Sequence, residues 1–221
     1  SISEHARVFL VGHSMGGMIS YCAAGSELRE QVAGVVTIGS PYRFGRGSAV
    51  LRVVGPLFYG LRLTGLFDTN FPIPLGLAGR HLRGFRRLWD SRLFPFPIKV
   101  WHPGSMEPEL LDEYLRLSFE HTRLEVALGI VRPGPESVLR SHDGMVDYGA
   151  AFELLDRPLL VIAGSEDTLA PPESVKPAYE LSQASDRTYR CFPMGHVDLI
   201  MGRNAPSLTW PLLVRWLEGR T

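Results

Sequence analysis

Val8-Phe9-Leu10-Val11-Gly12-His13-Ser14-Met15-Gly16-Gly17-Met18-Ile19 decides how this chain is read. The four apolar residues Val8 to Val11 have the length and character of a short buried strand. Gly12, Ser14 and Gly16 then mark a sharp turn, and Gly17-Met18-Ile19-Ser20-Tyr21-Cys22-Ala23-Ala24 continues as a packed helix. A serine at the tip of such a turn presents its hydroxyl at the end of a sheet and the start of a helix. The pattern predicts a strained backbone at Ser14, with Gly12 and Gly16 present because a Cβ there would press on the neighbouring strand or helix. The helix N-terminus, with the Met15 amide first, points donors to where an oxyanion beside the serine would form.

Outward from that unit, Ser26 to Gln31 ends the helix and Val32-Ala33-Gly34-Val35-Val36-Thr37-Ile38-Gly39 reads as a second buried strand closed by Ser40-Pro41. Two apolar strands joined by a helix make a parallel βαβ unit. A third strand is expected at Pro158 to Gly164, a helix from Pro172 through Val175, Ala178, Tyr179 and Leu181, and a fourth strand at Thr188 to Phe192. A last helix lies within 205–218, where Pro211 requires either a kink or a later start. The domain reading is therefore an α/β core from 1–41 and 151–221, interrupted by an insertion over 42–150. The first part of the insertion, 42–104, is loop-rich and aromatic: Phe44, Phe58, Tyr59, Phe67, Phe71, Phe85, Trp89, Phe94, Phe96 and Trp101 all fall there. Its later part predicts an amphipathic helix from about Pro108 to Leu128, with Leu111, Tyr114, Leu115, Phe119 and Leu124 on one face and Gly129 as the stop.

Composition narrows the function classes. The 221 residues carry 23 basic and 23 acidic side chains, a net charge of zero, which offers nothing to nucleic acid or another polyanion. The longest apolar stretch, Ala49 to Leu61, is broken by Arg52 and Gly55-Pro56, so no membrane span is expected. Two cysteines, Cys22 and Cys191, make no disulfide framework and read as buried free thiols. No Cys/His grouping has metal-ligand spacing, and no cofactor is called for. Arg80, Arg83, Arg86, Arg87 and Arg92 punctuate the insertion; they read as a solvated helix face, or as a surface that meets anionic lipid or an acidic cofactor tail.

A serine is a poor nucleophile until a base takes its proton, and the base must be oriented by a carboxylate. Asp167 stands in Ala163-Gly164-Ser165-Glu166-Asp167-Thr168-Leu169-Ala170, at the C-terminal end of the third strand, where α/β active sites collect. Glu166 is its neighbour and competitor. His196 stands in Pro193-Met194-Gly195-His196-Val197-Asp198-Leu199, just after the fourth strand, in a loop that can reach both Ser14 and Asp167. Of the other histidines, His5 and His13 belong to the first unit, where His13 packs beside the serine, and His81, His102, His121 and His142 lie in the insertion. Asp198 reads as the cap of the next helix.

With Gly12-His13-Ser14-Met15-Gly16-Gly17, the turn ending at Asp167 and Gly195-His196, the chain resembles the α/β-hydrolase superfamily. The segment Gly195-His196-Val197-Asp198-Leu199-Ile200-Met201-Gly202-Arg203-Asn204-Ala205-Pro206 is similar to the histidine-bearing segment of acid-lipase-like and esterase-like branches. Polyhydroxyalkanoate synthases share the layout but carry Cys in place of Ser14. The resemblance implies a parallel sheet with flanking helices, a helical lid in place of 42–150, and a Ser14–Asp167–His196 triad with the Met15 amide in the oxyanion hole. It implies a serine carboxylic-ester hydrolase for small hydrophobic esters, with interfacial contact through the lid as a further expectation. Acyl transfer to an alcohol, as in the polyester synthases, is the alternative chemistry. In the family the serine follows the fifth strand, after roughly 80–110 residues. With Ser14 so early, the chain is expected to be the C-terminal part of such a protein, its 7–11 strand an exposed edge and its second oxyanion donor elsewhere. A non-catalytic fragment is the reading that follows if that part never completes the site.

Overall fold

The protein is described by a computed structural model, which covers residues 7–43, 46–47, 72–73, 81, 83–91, 99–118, 122–123, 139–141 and 143–220. Strand β1 (Val8–His13) runs into helix α1 (Met15–Ala24), a 3₁₀ turn over Glu27–Gln31, and β2 (Val32–Ile38). Next come β3 (Pro72–Ile73), α2 (Arg86–Trp89), α3 (Pro108–Leu117), β4 (Thr122–Arg123) and α4 (Tyr148–Glu153). The chain closes with β5 (Leu159–Gly164), α5 (Pro172–Val175), α6 (Pro177–Leu181), β6 (Arg187–Phe192), α7 (Asp198–Met201) and α8 (Thr209–Glu218).

β1, β2, β5 and β6 form a parallel sheet in the order β1-β2-β5-β6. The apolar runs of β2 and β5 are continuous because both faces of the sheet are covered. Val35, Leu159 and Val161 face one core with Tyr21, Tyr42 and Phe152, under α1 and α4. Val36, Ile38, Leu160 and Ile162 face the other, with Leu199 and Trp216, under α7 and α8. On the first side Tyr21, Tyr42 and Phe152 pack ring on ring at 4.8–5.8 Å, and the Tyr42 hydroxyl donates to the Gly149 carbonyl, drawing α4 onto α1. The boundary expected at 150 therefore falls inside a helix that belongs to the core packing.

Several local expectations change. The helix from Pro172 is two short helices, because Pro177 has no N–H to continue the first. Pro211 lies in the first turn of α8, so the helix starts late and needs no kink. The amphipathic helix ends at Leu117 rather than 128: beyond it Ser118, His121, Thr122 and Val126 are poor helix formers, and Thr122–Arg123 pairs antiparallel with Pro72–Ile73. Leu111 and Leu115 are buried as expected, while Phe119, Leu124 and Gly129 lie outside the described residues. Cys191 is exposed, on edge strand β6, and Cys22 is half-buried. Arg83 grips Asp112 through Nε and Arg86 donates to the Pro108 carbonyl, so both serve to dock α2 on α3; Arg80 and Arg92 lie outside the described residues. No described helix is long and apolar enough to cross a membrane.

Candidate active site

β1 ends at His13, α1 begins at Met15, and Ser14 between them has φ 54° and ψ −124°. It is the one non-glycine residue with positive φ among those described. Such a conformation costs on the order of 1–3 kcal/mol and persists only where its surroundings hold it. Here the Ser14 N–H donates to Ile38 (2.9 Å), and its carbonyl accepts from Gly17 (3.0 Å) and Met18 (3.3 Å). A Cβ at Gly12 would collide with the backbone of Gly16 and Gly17, as the sequence suggests. At Gly16 it would meet nothing within 4 Å; the second position that must be bare is Gly17, which lies against Ser40. The close contact falls one residue later than expected because the packing surface there is the β2 exit loop.

The Ser14 hydroxyl lies 2.8 Å from His196 Nε2, and His196 Nδ1 lies 2.7 Å from Asp167 Oδ2. Serine Oγ–H donates to the imidazole and the imidazole Nδ1–H donates to the carboxylate. Both partners are closed from solvent, His196 at 3% and Asp167 at 2% exposure. The other Asp167 oxygen accepts from the amides of Leu169 (2.9 Å) and Ala170 (2.7 Å), which fix the carboxylate on its loop. Glu166 turns outward and stands 3.9 Å from His102. Met15 is the first residue of α1, and its N–H is among those a helix leaves without an internal acceptor. The three side chains thus meet above the C-terminal ends of β1, β5 and β6, next to the first residue of α1. Among the described residues no His, Cys, Asp and Glu cluster could hold a metal.

Three contributors escape the sequence pattern. His13 does more than pack: its Nε2–H donates to the His196 carbonyl (3.0 Å), and the two rings lie 4.7 Å apart. Burial first, then the neighbouring His196, hold its pKa down to about 4, so it stays neutral. Gly39, where β2 ends, has φ +55°, and a Cβ there would stand 3.4 Å from His196 Nδ1 and 3.5 Å from Asp167 Oδ2. Asp198 forms no helix cap; it is buried, and its Oδ2 accepts from the amides of Gly195 and His102, each at 2.8 Å. Burial pushes its carboxyl upward. A close glycine beside a strand end, as at Gly39-Ser40-Pro41, is the one signal in the sequence that could have singled out any of these.

A doubly covered parallel sheet that brings a serine at a strained strand–helix turn to the strand ends defines an α/β-hydrolase fold. The model of the Alpha/beta hydrolase family matches residues 2–206, and the chain belongs to that family. Its fold is similar to that of the Paleococcus ferrophilus monoacylglycerol lipase, with TM-score 0.60 and 19% identity over 98% of this chain and 70% of that one. It is also similar to Rv0554 from Mycobacterium tuberculosis (TM-score 0.58, 14% identity, 97% of this chain and 66% of that one). A thermophilic esterase from Thermogutta terrifontis aligns with TM-score 0.51 and 18% identity, over 98% of this chain and 66% of the other. These likenesses are of fold, and the chain spans about two thirds of the length of the structures it matches. A sequence search among curated proteins finds no match.

Proposed function

We propose that the protein is a serine carboxylic-ester hydrolase in which Ser14 is the nucleophile, His196 the base and Asp167 the residue that orients it. Family membership supports hydrolysis; the observation that carries the finer reading is the Ser14–His196–Asp167 relay, at 2.8 and 2.7 Å, on a strained serine. In the first step Ser14 Oγ attacks the acyl carbon while its proton passes to His196 Nε2. The negative charge on the former carbonyl oxygen is met by the Met15 amide. Collapse expels the alcohol, which takes the proton back from His196, and leaves an acyl group on Ser14. Water then repeats the sequence, giving up a proton to His196 and releasing the carboxylic acid. Asp167 holds the imidazole with Nε2 toward the serine and stabilises the imidazolium that forms at each stage. The substrate class is a small hydrophobic ester: Met15 is half-exposed beside the nucleophile, and 42–104 is rich in aromatic residues. We read the insertion expected over 42–150, apart from Tyr42 and the start of α4, which pack in the core, as a cap over Ser14.

The test is hydrolysis of p-nitrophenyl esters of increasing acyl length, with Ser14→Ala as control. Turnover that rises with acyl length and is abolished in Ser14→Ala is expected; turnover that Ser14→Ala leaves intact overturns the reading.

A further inference from the structure

Residues 99–105 run across both loops that carry the partners of Ser14. At one end the Lys99 N–H donates to Thr168 Oγ1 (2.8 Å), next to Asp167, and the Thr168 hydroxyl returns a bond to the Lys99 carbonyl (3.2 Å). Beside it Val197 N–H donates to Val100 O, and at the other end Arg203 N–H donates to Ser105 O, each at 2.9 Å. The strap is itself seated. Trp101 and Met106 pack with Leu111, Leu115 and Val197, and the Trp101 indole and the Gly104 amide both donate to Asp90. At its centre, the amide before His196 and the amide of His102 converge on a single oxygen of Asp198. A Cβ at Gly195 would stand 2.5 Å from that oxygen and 2.6 Å from the His102 nitrogen, so the junction closes only around glycine.

Asp198 is 1% exposed, and Ser105, on the strap, also favours its charged form against that burial. A buried carboxylate is costly unless hydrogen bonds offset it, and here its two short ones both reach Oδ2. Its two bonds go to backbone on either side of one contact, strap and histidine loop.

We propose that Asp198 is a positioning residue for His196, clamping the histidine loop to the strap so that the imidazole is presented to Ser14 at the correct distance and angle. The inference rests on the reading of His196 as the general base. His13 grips the carbonyl of His196 and Asp198 grips the amide of Gly195, so the base is held by the backbone on both sides. Displacement of a reacting group by about 1 Å can cost about 100-fold in rate.

The experiment compares Asp198→Ala, Asp198→Asn and Thr168→Val with the parent protein on a p-nitrophenyl ester, with the rate of Ser14 phosphonylation by a fluorophosphonate as a second readout. Because both amides meet one oxygen, the asparagine carbonyl can replace it. D198A is expected to lower kcat about 10- to 100-fold with KM within about twofold, and to slow phosphonylation in parallel. D198N is expected to stay within about threefold of the parent. Thr168→Val, exposed and close in shape, releases the strap at its far end and is expected to lower kcat by a few-fold whether or not D198A folds. Full kcat in D198A, D198N as slow as D198A, or an unchanged Thr168→Val each overturns the proposal. A parent protein that neither reacts with the fluorophosphonate nor depends on Ser14 overturns the hydrolase reading instead, and this inference with it.

Discussion

On one side of Ser14 stands His196, its imidazole pinned by Asp167, its carbonyl by His13, and its loop by Asp198 and the strap. Asp167 in turn is fixed by two amides of its own loop. On the other side, among the described residues, stand the start of α1 and the open edge of the sheet, where Val11 is 47%, Met15 48% and Ile19 60% exposed. The base side is built from long-range contacts that close on one another. The oxyanion side rests on a helix terminus. Among the described residues, His13, the strap and the loops after β5 and β6 over-determine one half of the site, while the other half is held by the turn, the Ser14–Ile38 bond and the contact of Gly17 with Ser40.

The largest effects should separate the two halves. On the base side, His196→Ala is expected to lower kcat on a p-nitrophenyl ester by about 10⁴-fold and Asp167→Asn by a similar factor. On the oxyanion side, Met15→Pro deletes the amide donor at the first helical position, where proline is tolerated. It should cost about 10²- to 10³-fold, with the fold checked by a melting curve. Equal losses from both kinds of variant would erase the distinction. A Met15→Pro protein that melts normally and keeps full kcat would remove the amide from the mechanism.

The same division explains what could be read from the sequence. Ser14, Asp167 and His196 were legible because each follows a strand marked in the sequence, the first two by apolar runs, and strand ends in such a sheet lie side by side. The two-faced burial of β2 and β5 was legible from their unbroken apolar runs. His13, Gly39 and Asp198 were not, since their partners lie far along the chain or meet them only in space: His13 bonds a residue 183 positions away. No periodicity records a contact of that kind. The misplaced helix end at 128 and the buried reading of Cys191 have the opposite origin. There local pattern points one way, while pairing, of Thr122–Arg123 with Pro72–Ile73, and edge position, of β6 among the described strands, decide.

Acid should break the base side first, through His13. Its pKa falls from 6.5 to about 4 on folding, so between these values the unfolded chain binds a proton that the folded chain does not. Stability is whole above pH 6.5 and declines as pH falls toward 4, by on the order of 3 kcal/mol for a full shift of this size. His13→Gln keeps a donor for the His196 carbonyl but has nothing to titrate. Its urea midpoints, measured from pH 7 to pH 4, should fall less steeply than those of the parent. Parallel curves would mean that His13 is not a titrating clamp on the base.

The smallest effect is expected at the open edge. Ile19 projects from α1 on its exposed side, two residues from Tyr21, which is fully buried against Tyr42 and Phe152. A lysine at 19 gives up little apolar contact within the 221-residue chain, so Ile19→Lys should change its unfolding free energy by less than about 0.5 kcal/mol. Among the described residues β1 pairs on one side only, so any self-association through that side should be weakened by the same change, because a charge there opposes the contact. Sedimentation velocity over a range of concentrations reads the association and a urea melt reads the stability. A loss of more than about 2 kcal/mol in the melt would mean that Ile19 is covered in solution, and that the oxyanion half is as closely packed as the half that holds the base.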